Sequence, residues 1–344
     1  MRVGRGPAAV RAASVMVASV LAAVLLAGCG QKEPRAGAPA SQAHSADSSL
    51  NVGAQSGTLA PQTLEQVRAK TGLQLRQPPI ASPGELESRL LAGRSGFDVV
   101  VVPWQFVSRQ VRAGLFHKLD KRELPNLEHA DAEVMQQLSA GDPGNELAVP
   151  YRRQTTGIAV DRQRLAAVIQ DANPHDWNLL FDARHAQKLA GCGVYVPDAP
   201  QEMMSLALLW LGRDPNSDRP EDLQAAAGAL RAIKPYVQRF DPSRMAQELS
   251  AGKPCLAVVD DTAALPGGQL DYGVPPQGTI AWVDVLAIPA DARQLRQAHA
   301  FINALIDAQR GPQAAATAKA FVLAPHGEAY AAEVARLWAE FSAH

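Results

Sequence analysis

The residues of this sequence that could do chemistry do not form any of the common catalytic motifs. The chain contains no GxSxG, HExxH or GxxxxGK[ST] pattern, which are typical of serine hydrolases, zinc proteases and P-loop proteins. Its eight histidines are scattered, and neither His175-Asp176 nor His129-Ala130-Asp131 has the spacing of a metal site. We therefore predict that the protein is not an enzyme and has no cofactor and no metal ion. A hydrolase assembled from distant residues is the weaker alternative.

Cys29 lies at the end of an export signal. Basic residues without an acidic one precede an apolar run from Ala12 to Ala27, which is too short to span a bilayer comfortably. The run Leu26-Ala27-Gly28-Cys29 resembles a bacterial lipobox, in which the cysteine is acylated and becomes the new N-terminus. We expect residues 1–28 to be a lipoprotein signal peptide and residues 29–49, rich in Ala, Ser, Gly and Pro, to be a flexible tether. An ordinary signal peptide with a coincidental cysteine is the alternative.

The residues after the signal are numerous enough for a large folded body. The chain of 344 residues has room for two domains with packed cores. Its 33 lysines and arginines are balanced by 34 acidic residues, without a long basic block, so nucleic acid is not expected as a partner. From Leu50 onward, short β-like runs alternate with helical stretches, as in layered α/β proteins. Two α/β lobes with a ligand cleft between them fit this pattern.

Several segments resemble one family when they are taken in order. They are residues 95–120 (SGFDVVVVPWQFVSRQVRAGLFHKLD), 149–161 (VPYRRQTTGIAVD), 191–202 (GCGVYVPDAPQE), 211–217 (LGRDPNS) and 281–292 (AWVDVLAIPADA). Together they are similar to bacterial periplasmic polyamine-binding proteins, the putrescine and spermidine receptors of ABC importers. The resemblance implies an α/β, two-lobed periplasmic-binding-protein fold (type II), whose lobes are joined by two extended hinge crossovers. These crossovers are expected near Gln154–Gly157 and Thr279–Trp282.

The same resemblance implies lobe boundaries and partners. Lobe 1 is expected to contain residues 50–154 and 281–308, and lobe 2 residues 155–280 and 309–344. The implied partners are a polyamine-like small molecule and the permease subunits of an ABC transporter, with membrane contact only through the lipid anchor. We expect a periplasmic monomer, held to the outer rather than the inner membrane because no aspartate directly follows the lipidated cysteine.

A polyamine, the ligand that the resemblance implies, requires particular side chains in its binding site. A linear diamine carries an ammonium at each end, so its receptor needs separated carboxylates for the ends and aromatic faces for the methylene chain. By the resemblance, Asp284 holds one ammonium, Trp282 supplies a ring and Glu202 is a second acid. Residues 282 and 284 are two apart on a predicted strand, so both side chains would point to one face. Each has a structural alternative: a loop cap for Asp284, core packing for Trp282 and a helix-dipole contact for Glu202.

Cys192 and Cys255 are candidates for a disulfide. Each lies beside a short strand-like run, GVYV and LAVV, and an exported protein is in a compartment where disulfides persist. Adjacent strands could bring the two sulfurs together, and two buried thiols are the alternative. Both positions match a disulfide seen in putrescine-binding members of the family, which favours the bridge.

Several pocket positions of the family are replaced in this chain. An aromatic-Ser-Asp-aromatic signature is expected after the first strand, but the chain has Gln55-Ser56-Gly57-Thr58, which keeps only the serine. A later Trp-x-x-Asp pattern becomes Asp260-Asp261-Thr262-Ala263, whose aspartates either supply carboxylates from shifted positions or form a solvated helix start. Trp104 and Gln105, after a predicted strand, could replace the lost rings in part, with core packing the alternative for Trp104. The candidate ligand-binding residues at these replaced positions are Gln55, Ser56, Asp260, Asp261, Trp104 and Gln105.

Arg153 conflicts with a diamine ligand. It lies in the stretch before TTGI where the family has an aromatic residue, and a guanidinium in a partly dry cleft would repel an ammonium. It could instead pair with Glu202 or Asp284, or bind a ligand carboxylate. The first prediction is therefore a polyamine receptor. Two alternatives stay open: a solute-binding protein for a zwitterionic or anionic solute anchored by Arg153, and a sensor or scaffold that binds no solute.

Overall fold

The computed structural model describes residues 49–240, 245–263, 265, 270–309 and 319–342. The predicted signal peptide, the lipidation site Cys29 and all but the last residue of the predicted tether lie outside these residues. The first strand begins at Ser49, one residue before the predicted start of the folded body.

Strands and helices alternate along the chain, as the sequence predicts. The strands of the described residues are β1 (Ser49–Gly53), β2 (Gln74–Arg76), β3 (Val99–Pro103), β4 (Ala148–Val160), β5 (Val194–Pro197), β6 (Gln238–Phe240), β7 (Leu256–Asp260), β8 (Asp271–Gly273), β9 (Thr279–Ala287) and β10 (Ala320–Val322). The helices are α1 (Pro61–Thr71), α2 (Pro83–Leu91), α3 (Trp104–Gln110), α4 (Ala132–Leu138), α5 (Arg162–Val168), α6 (Asn178–Phe181), α7 (Ala183–Leu189), α8 (Pro200–Trp210), α9 (Pro220–Ile233), α10 (Met245–Ser250), α11 (Leu295–Ala308) and α12 (Glu328–Ser342).

Local sequence signals fix the starts of two helices that matter for the site. Helix α8 begins with Pro200, whose fixed φ suits the first helical turn and whose missing N–H costs nothing there. Helix α4 is capped by Asp131, whose Oδ1 accepts hydrogen bonds from the backbone N–H groups of Glu133 (3.0 Å) and Val134 (3.1 Å). These starts place Glu202 in the first turn of α8 and leave the second carboxylate oxygen of Asp131 for another partner.

The strands form two parallel groups that are joined by two long antiparallel strands. The order is β2-β1-β3-β9-β4-β7-β5-β6, with β10 beside β9 and β8 beside β4. Strand β4 pairs with β9 through residue 155 and with β7 from residue 156 onward. It therefore passes from one group to the other within the predicted crossover Gln154–Gly157. We call β1–β3 with their helices the first half, and β5–β8 with theirs the second half.

Separate apolar cores support the two halves. In the first half, Val101 and Val149 pack with Leu286 and with Phe301 of α11. In the second half, a larger core of strands β5 and β7 packs against α8, α9 and α12 and contains fully buried Trp177. Burial of this kind is the main stabilising contribution to the fold, and it leaves the polar residues of β4 and β9 between the two cores.

Cys192 and Cys255 form the predicted disulfide. Their Cα atoms are 5.5 Å apart, and the bridge joins the residues that precede the neighbouring parallel strands β5 and β7. Gly193, at φ 96°, has a conformation that favours glycine, and a Cβ there would lie 2.8 Å from the carbonyl oxygen of Lys253. The bridge therefore fixes strand β5 beside β7 close to the start of both strands.

Candidate functional site

A cavity of about 280 Å³ opens in the first half, beside the central strands. It is lined by Gln55, Thr58, Val101, Pro103, Gln105, Arg152, Gln154, Trp282, Val283 and Asp284. The structure thus brings together four of the predicted ligand-binding residues: Gln55, Gln105, Trp282 and Asp284. The carboxylate and the ring that the sequence analysis places on one face of a strand do line the same cavity.

The pairing of β4 with β9 explains which side chains reach this cavity. Arg152 lies opposite Asp284, and Gln154 lies opposite Trp282. Directly opposite residues, and residues two apart on one strand, share a face of the sheet. The register of the two strands shifts between Pro150 and Arg152, which is the mark of a β-bulge and re-aims the strand at this point.

Arg152 forms an ion pair with the predicted ammonium-binding carboxylate. Its Nη2 lies 2.8 Å and its Nε 3.2 Å from Oδ2 of Asp284. A third of the Arg152 side chain is exposed (33%), against 18% for Asp284, so the pair lies at the wall of the cavity rather than in the core. Arg152 is not among the residues predicted from the sequence, because two consecutive arginines precede Gln154 and only the strand register decides which of them faces the cavity.

Arg153 does not take the place that the sequence analysis expects for it. It lies on the opposite face of β4 from Arg152, where its Nη1 is 3.1 Å from Oδ2 of Asp131, the cap of helix α4. The pairing expected with Glu202 or Asp284 is therefore wrong. The physical reason is the alternation of side chains along a strand, which turns neighbouring residues to opposite faces.

Glu202 lies where β4 enters the second half. The hydroxyl of Thr156 donates a hydrogen bond of 2.7 Å to its Oε1. Burial raises the pKa of Glu202 to about 6, the hydrogen bond from Thr156 opposes this increase, and the nearby Asp260 carboxylate adds to it. Among the described residues, no basic side chain forms an ion pair with Glu202. Glu202 is a half-buried acid that lacks a cationic partner among the described residues.

The two aspartates that follow β7 have different roles in the structure. Oδ2 of Asp261 accepts hydrogen bonds from the backbone N–H (3.1 Å) and the hydroxyl (2.8 Å) of Thr155, so this carboxylate fixes β4 at the crossover. Asp260 lies opposite Thr156 in the sheet, and its Oδ1 accepts a hydrogen bond of 2.7 Å from the backbone N–H of Thr262. Asp260 is therefore the aspartate that stands beside Glu202.

Asp284 and Glu202 each lie beside a residue of the same strand, β4. Asp284 is beside Arg152, and Glu202 is beside Thr156, four residues further along the strand. Four residues of a strand span about 13 Å between backbone positions, and side chains that extend into the space between them shorten this gap. The two acids are therefore separated along β4.

None of the other six predicted residues lines the cavity: Ser56, Trp104, Arg153, Glu202, Asp260 and Asp261 all lie outside its lining. Ser56 is exposed and does not line it. Trp104 is only 2% exposed and packs in the first-half core, where its ring lies against Gly141. Its ring is therefore part of the core and does not line the pocket. Gln105 does line the cavity; its Nε2 donates a 3.0 Å hydrogen bond to the carbonyl oxygen of Leu323, and its buried Oε1 has no hydrogen-bond partner.

A larger cavity of about 620 Å³ lies at the start of β1, far along the sheet from Gln55. It is lined by Ser49, Asn51, Arg76, Gly93, Arg94, Gly96, Phe97, Asp98, Asp291, Arg293 and Gln294. It contains none of the predicted ligand-binding residues. Its buried acid, Asp98, is already occupied, because it accepts hydrogen bonds from three backbone N–H groups. The smaller cavity is therefore the candidate site.

Metal and membrane features can be stated for the described part of the chain. Within it, no group of three or more His, Cys, Asp and Glu side chains could hold a metal ion. No helix of that part is both long and apolar enough to cross a membrane.

Comparison with known proteins identifies the family. Residues 64–340 match the model of a family described as bacterial extracellular solute-binding protein. The chain belongs to this family. As a bacterial extracellular solute-binding protein it acts outside the cytoplasm, and the family consists of binding proteins rather than enzymes.

Curated relatives of this solute-binding protein share about a third of its residues. The putrescine-binding periplasmic protein SpuD of Pseudomonas aeruginosa is 36% identical over 308 residues, which cover 86% of this chain and 83% of that protein. The putrescine-binding periplasmic protein PotF of Escherichia coli is 34% identical over 260 residues, covering 72% of this chain and 70% of that protein.

Solved structures confirm the predicted fold of the solute-binding protein. A spermidine/putrescine ABC transporter substrate-binding protein, PotD of Streptococcus pneumoniae, superposes with a TM-score of 0.73 at 18% identity and covers 86% of this chain and 98% of that one. The Tp0655 lipoprotein of Treponema pallidum gives 0.72 at 23% identity, with 85% and 99% covered. The mixed α/β architecture is thus that of the periplasmic binding proteins.

Proposed function

We propose that this solute-binding protein captures a small linear amine of the polyamine class in the cleft beside β4 and β9 and delivers it to an ABC importer. The observation that carries the proposal is Glu202, a half-buried acid without a basic partner among the described residues, whose pKa burial raises to about 6. A buried acid that lacks a cation is costly unless a ligand supplies one. The printed names of SpuD and PotF, both putrescine-binding, support the same ligand class.

The cleft offers a partner for each part of such an amine. Glu202 and Asp260 supply carboxylates for an ammonium, and Trp282 supplies an aromatic face for the methylene chain. Gln55 and Gln105 line the other end with their amide side chains. These residues, with Asp284, are the ligand-binding set that we propose.

Capture would proceed by closure of two lobes. We propose lobe 1 as residues 50–154 and 281–308, and lobe 2 as residues 155–280 and 309–344. The separate apolar cores on either side of the crossover support this division. A ligand that contacts both lobes shifts the population toward the closed state, because only that state offers it both sets of contacts.

The sequence supports a cellular setting for this receptor. We propose that Cys29 is acylated and anchors a monomeric receptor to the outer membrane through the tether of residues 29–49. The lipobox-like run that ends at this cysteine is the support for the anchor. The permease subunits of the importer would then receive the solute from the closed receptor.

Calorimetry tests the proposed function. The receptor, purified after signal removal with Cys29→Ser to prevent acylation, is titrated with putrescine, its mono-N-acetyl derivative and agmatine. We expect at least one of these amines to bind with a Kd of about 1 μM or less, and Glu202→Gln to weaken that binding by at least about tenfold. Glu65→Gln, at an exposed position of α1, is the matched control and should leave the affinity unchanged. The absence of both heat and thermal stabilisation with every amine would contradict the proposal.

A further inference from the structure

The ion pair between Arg152 and Asp284 changes the charge of one end of the cleft. We infer that Arg152 determines which charges the receptor accepts at the two ends of its ligand. The receptor prefers a linear amine with one ammonium end and one end that carries acceptor oxygens, in a carboxylate or a carbonyl, over a diamine of similar length. This inference rests on the proposed function, because it names the class of amine that the same cleft takes.

The described residues that line the cavity carry no net charge in total. Among the described residues that line the cavity, Asp284 is the only acid, and the Arg152 guanidinium, in contact with one of its oxygens, balances it. The other lining residues are apolar or carry neutral hydroxyl, amide and indole groups. An ammonium group beside Asp284 would share its carboxylate with the Arg152 guanidinium. This part of the cavity therefore attracts an ammonium group only weakly.

Glu202 and Asp260, which lie outside the lining of this cavity beside Thr156 of β4, differ from Asp284 in their partners. Glu202 accepts a hydrogen bond only from the Thr156 hydroxyl, and Asp260 only from Thr262, as far as the described residues go. Neither forms an ion pair with a basic side chain in that part of the chain. The charge balance therefore differs along β4: the carboxylates near Thr156 have no basic partner among the described residues, whereas Asp284 is paired with Arg152.

Arg152 also offers hydrogen-bond donors to a ligand. Its contacts with Asp284 use Nε and Nη2, and Nη1 makes no hydrogen bond to another described residue. The side chain is a third exposed and lines the cavity. Guanidinium N–H groups pair best with carboxylate or carbonyl oxygens, which a bare ammonium end lacks. The geometry thus matches a ligand with an ammonium toward Glu202 and an oxygen-bearing group toward Arg152.

Three amines that are each built on a four-carbon chain and differ in charge test this inference. Putrescine has two ammonium ends, N-acetylputrescine has one ammonium and a carbonyl, and 4-aminobutyrate has one ammonium and a carboxylate. We expect the wild-type receptor to bind one of the latter two at least about tenfold more tightly than putrescine. Arg152→Gln, which frees Asp284, should strengthen putrescine binding by about tenfold and weaken the preferred ligand. Arg153→Gln, on the opposite face of β4, is the control and should leave the order unchanged.

The possible results separate the inference from the proposed function. Preference for 4-aminobutyrate or for N-acetylputrescine supports the inference and tells whether the second end is anionic or neutral. If the wild type binds putrescine most tightly of the three, the inference is overturned and the proposed function stands. If neither the wild type nor Arg152→Gln binds any amine, the proposed function fails as well.

Discussion

Replacing Glu202 by Gln should make the empty receptor more stable while it weakens ligand binding. Glu202 is half-buried, burial raises the pKa of its carboxyl group, and its charge lacks a basic partner in the described part of the chain. Glutamine has nearly the same shape and keeps an oxygen that can accept the hydrogen bond from Thr156. The substitution therefore removes a buried charge with little change in packing.

The size of the stability change follows from the pKa of Glu202. Its increase from 4.5 to about 6 corresponds to about 2 kcal/mol of unfolding free energy, since the folded state holds the proton more tightly than the unfolded state. The penalty is absent below the unfolded pKa of 4.5, grows as the pH rises through about 6, and is complete above it. At about pH 7.5, Glu202→Gln should thus raise the unfolding free energy by about 2 kcal/mol and Tm by about 4 °C.

The same carboxylate makes ligand binding depend on pH. An ammonium binds the ionised form, which is nearly complete at about pH 7.5 and about a tenth of the population at about pH 5. Affinity of the wild type for its amine should therefore fall about tenfold between these values, while Glu202→Gln should bind weakly at both.

Thermal unfolding and calorimetry at both pH values measure the two effects. Glu65→Gln, at an exposed site, controls for the loss of one surface charge. A Glu202→Gln receptor that is less stable than the wild type at about pH 7.5, or whose stability difference does not shrink toward about pH 4, would refute the reasoning about the buried charge. Unchanged amine affinity would refute its role in binding.

Three further outcomes are expected. Replacing Cys192 and Cys255 together by serine should lower the unfolding free energy by about 4 kcal/mol in urea titrations, because the bridge closes residues 63 positions apart; an unchanged midpoint would argue against a structural bridge. Arg153→Gln should cost at most about 1 kcal/mol in thermal melts and leave ligand affinity intact, since its ion pair with Asp131 lies on the other face of β4. Amine binding should change the intrinsic fluorescence, and Trp282→Phe should remove most of that change; a signal that persists in the variant would place the ligand elsewhere.

Much of the architecture follows from local signals. Apolar runs bounded by prolines predict the alternation of strands and helices, and the spacing of Trp282 and Asp284 predicts their common face, which the cavity lining confirms. The positions of Cys192 and Cys255 beside strand-like runs, together with the family resemblance, favour a bridge, which the structure contains. These features depend on residues close in sequence or on the regular period of a strand.

What could not be predicted depends on register and tertiary packing. Arg152 and Arg153 are chemically identical neighbours, and the bulge between Pro150 and Arg152 decides which of them meets Asp284. Trp104 follows a buried strand and could face either the cleft or the core; its fit against Gly141 decides for the core. The spacing of residue types in the sequence predicts neither outcome.

A crystal structure of the receptor with its preferred amine tests the central claim most directly. We expect the ligand between the two halves, with an ammonium nitrogen within about 3 Å of a Glu202 oxygen and the methylene chain against the Trp282 ring. A ligand seated only in the cavity beside Arg76 and Arg293, with Glu202 still bound to Thr156 alone, would contradict it.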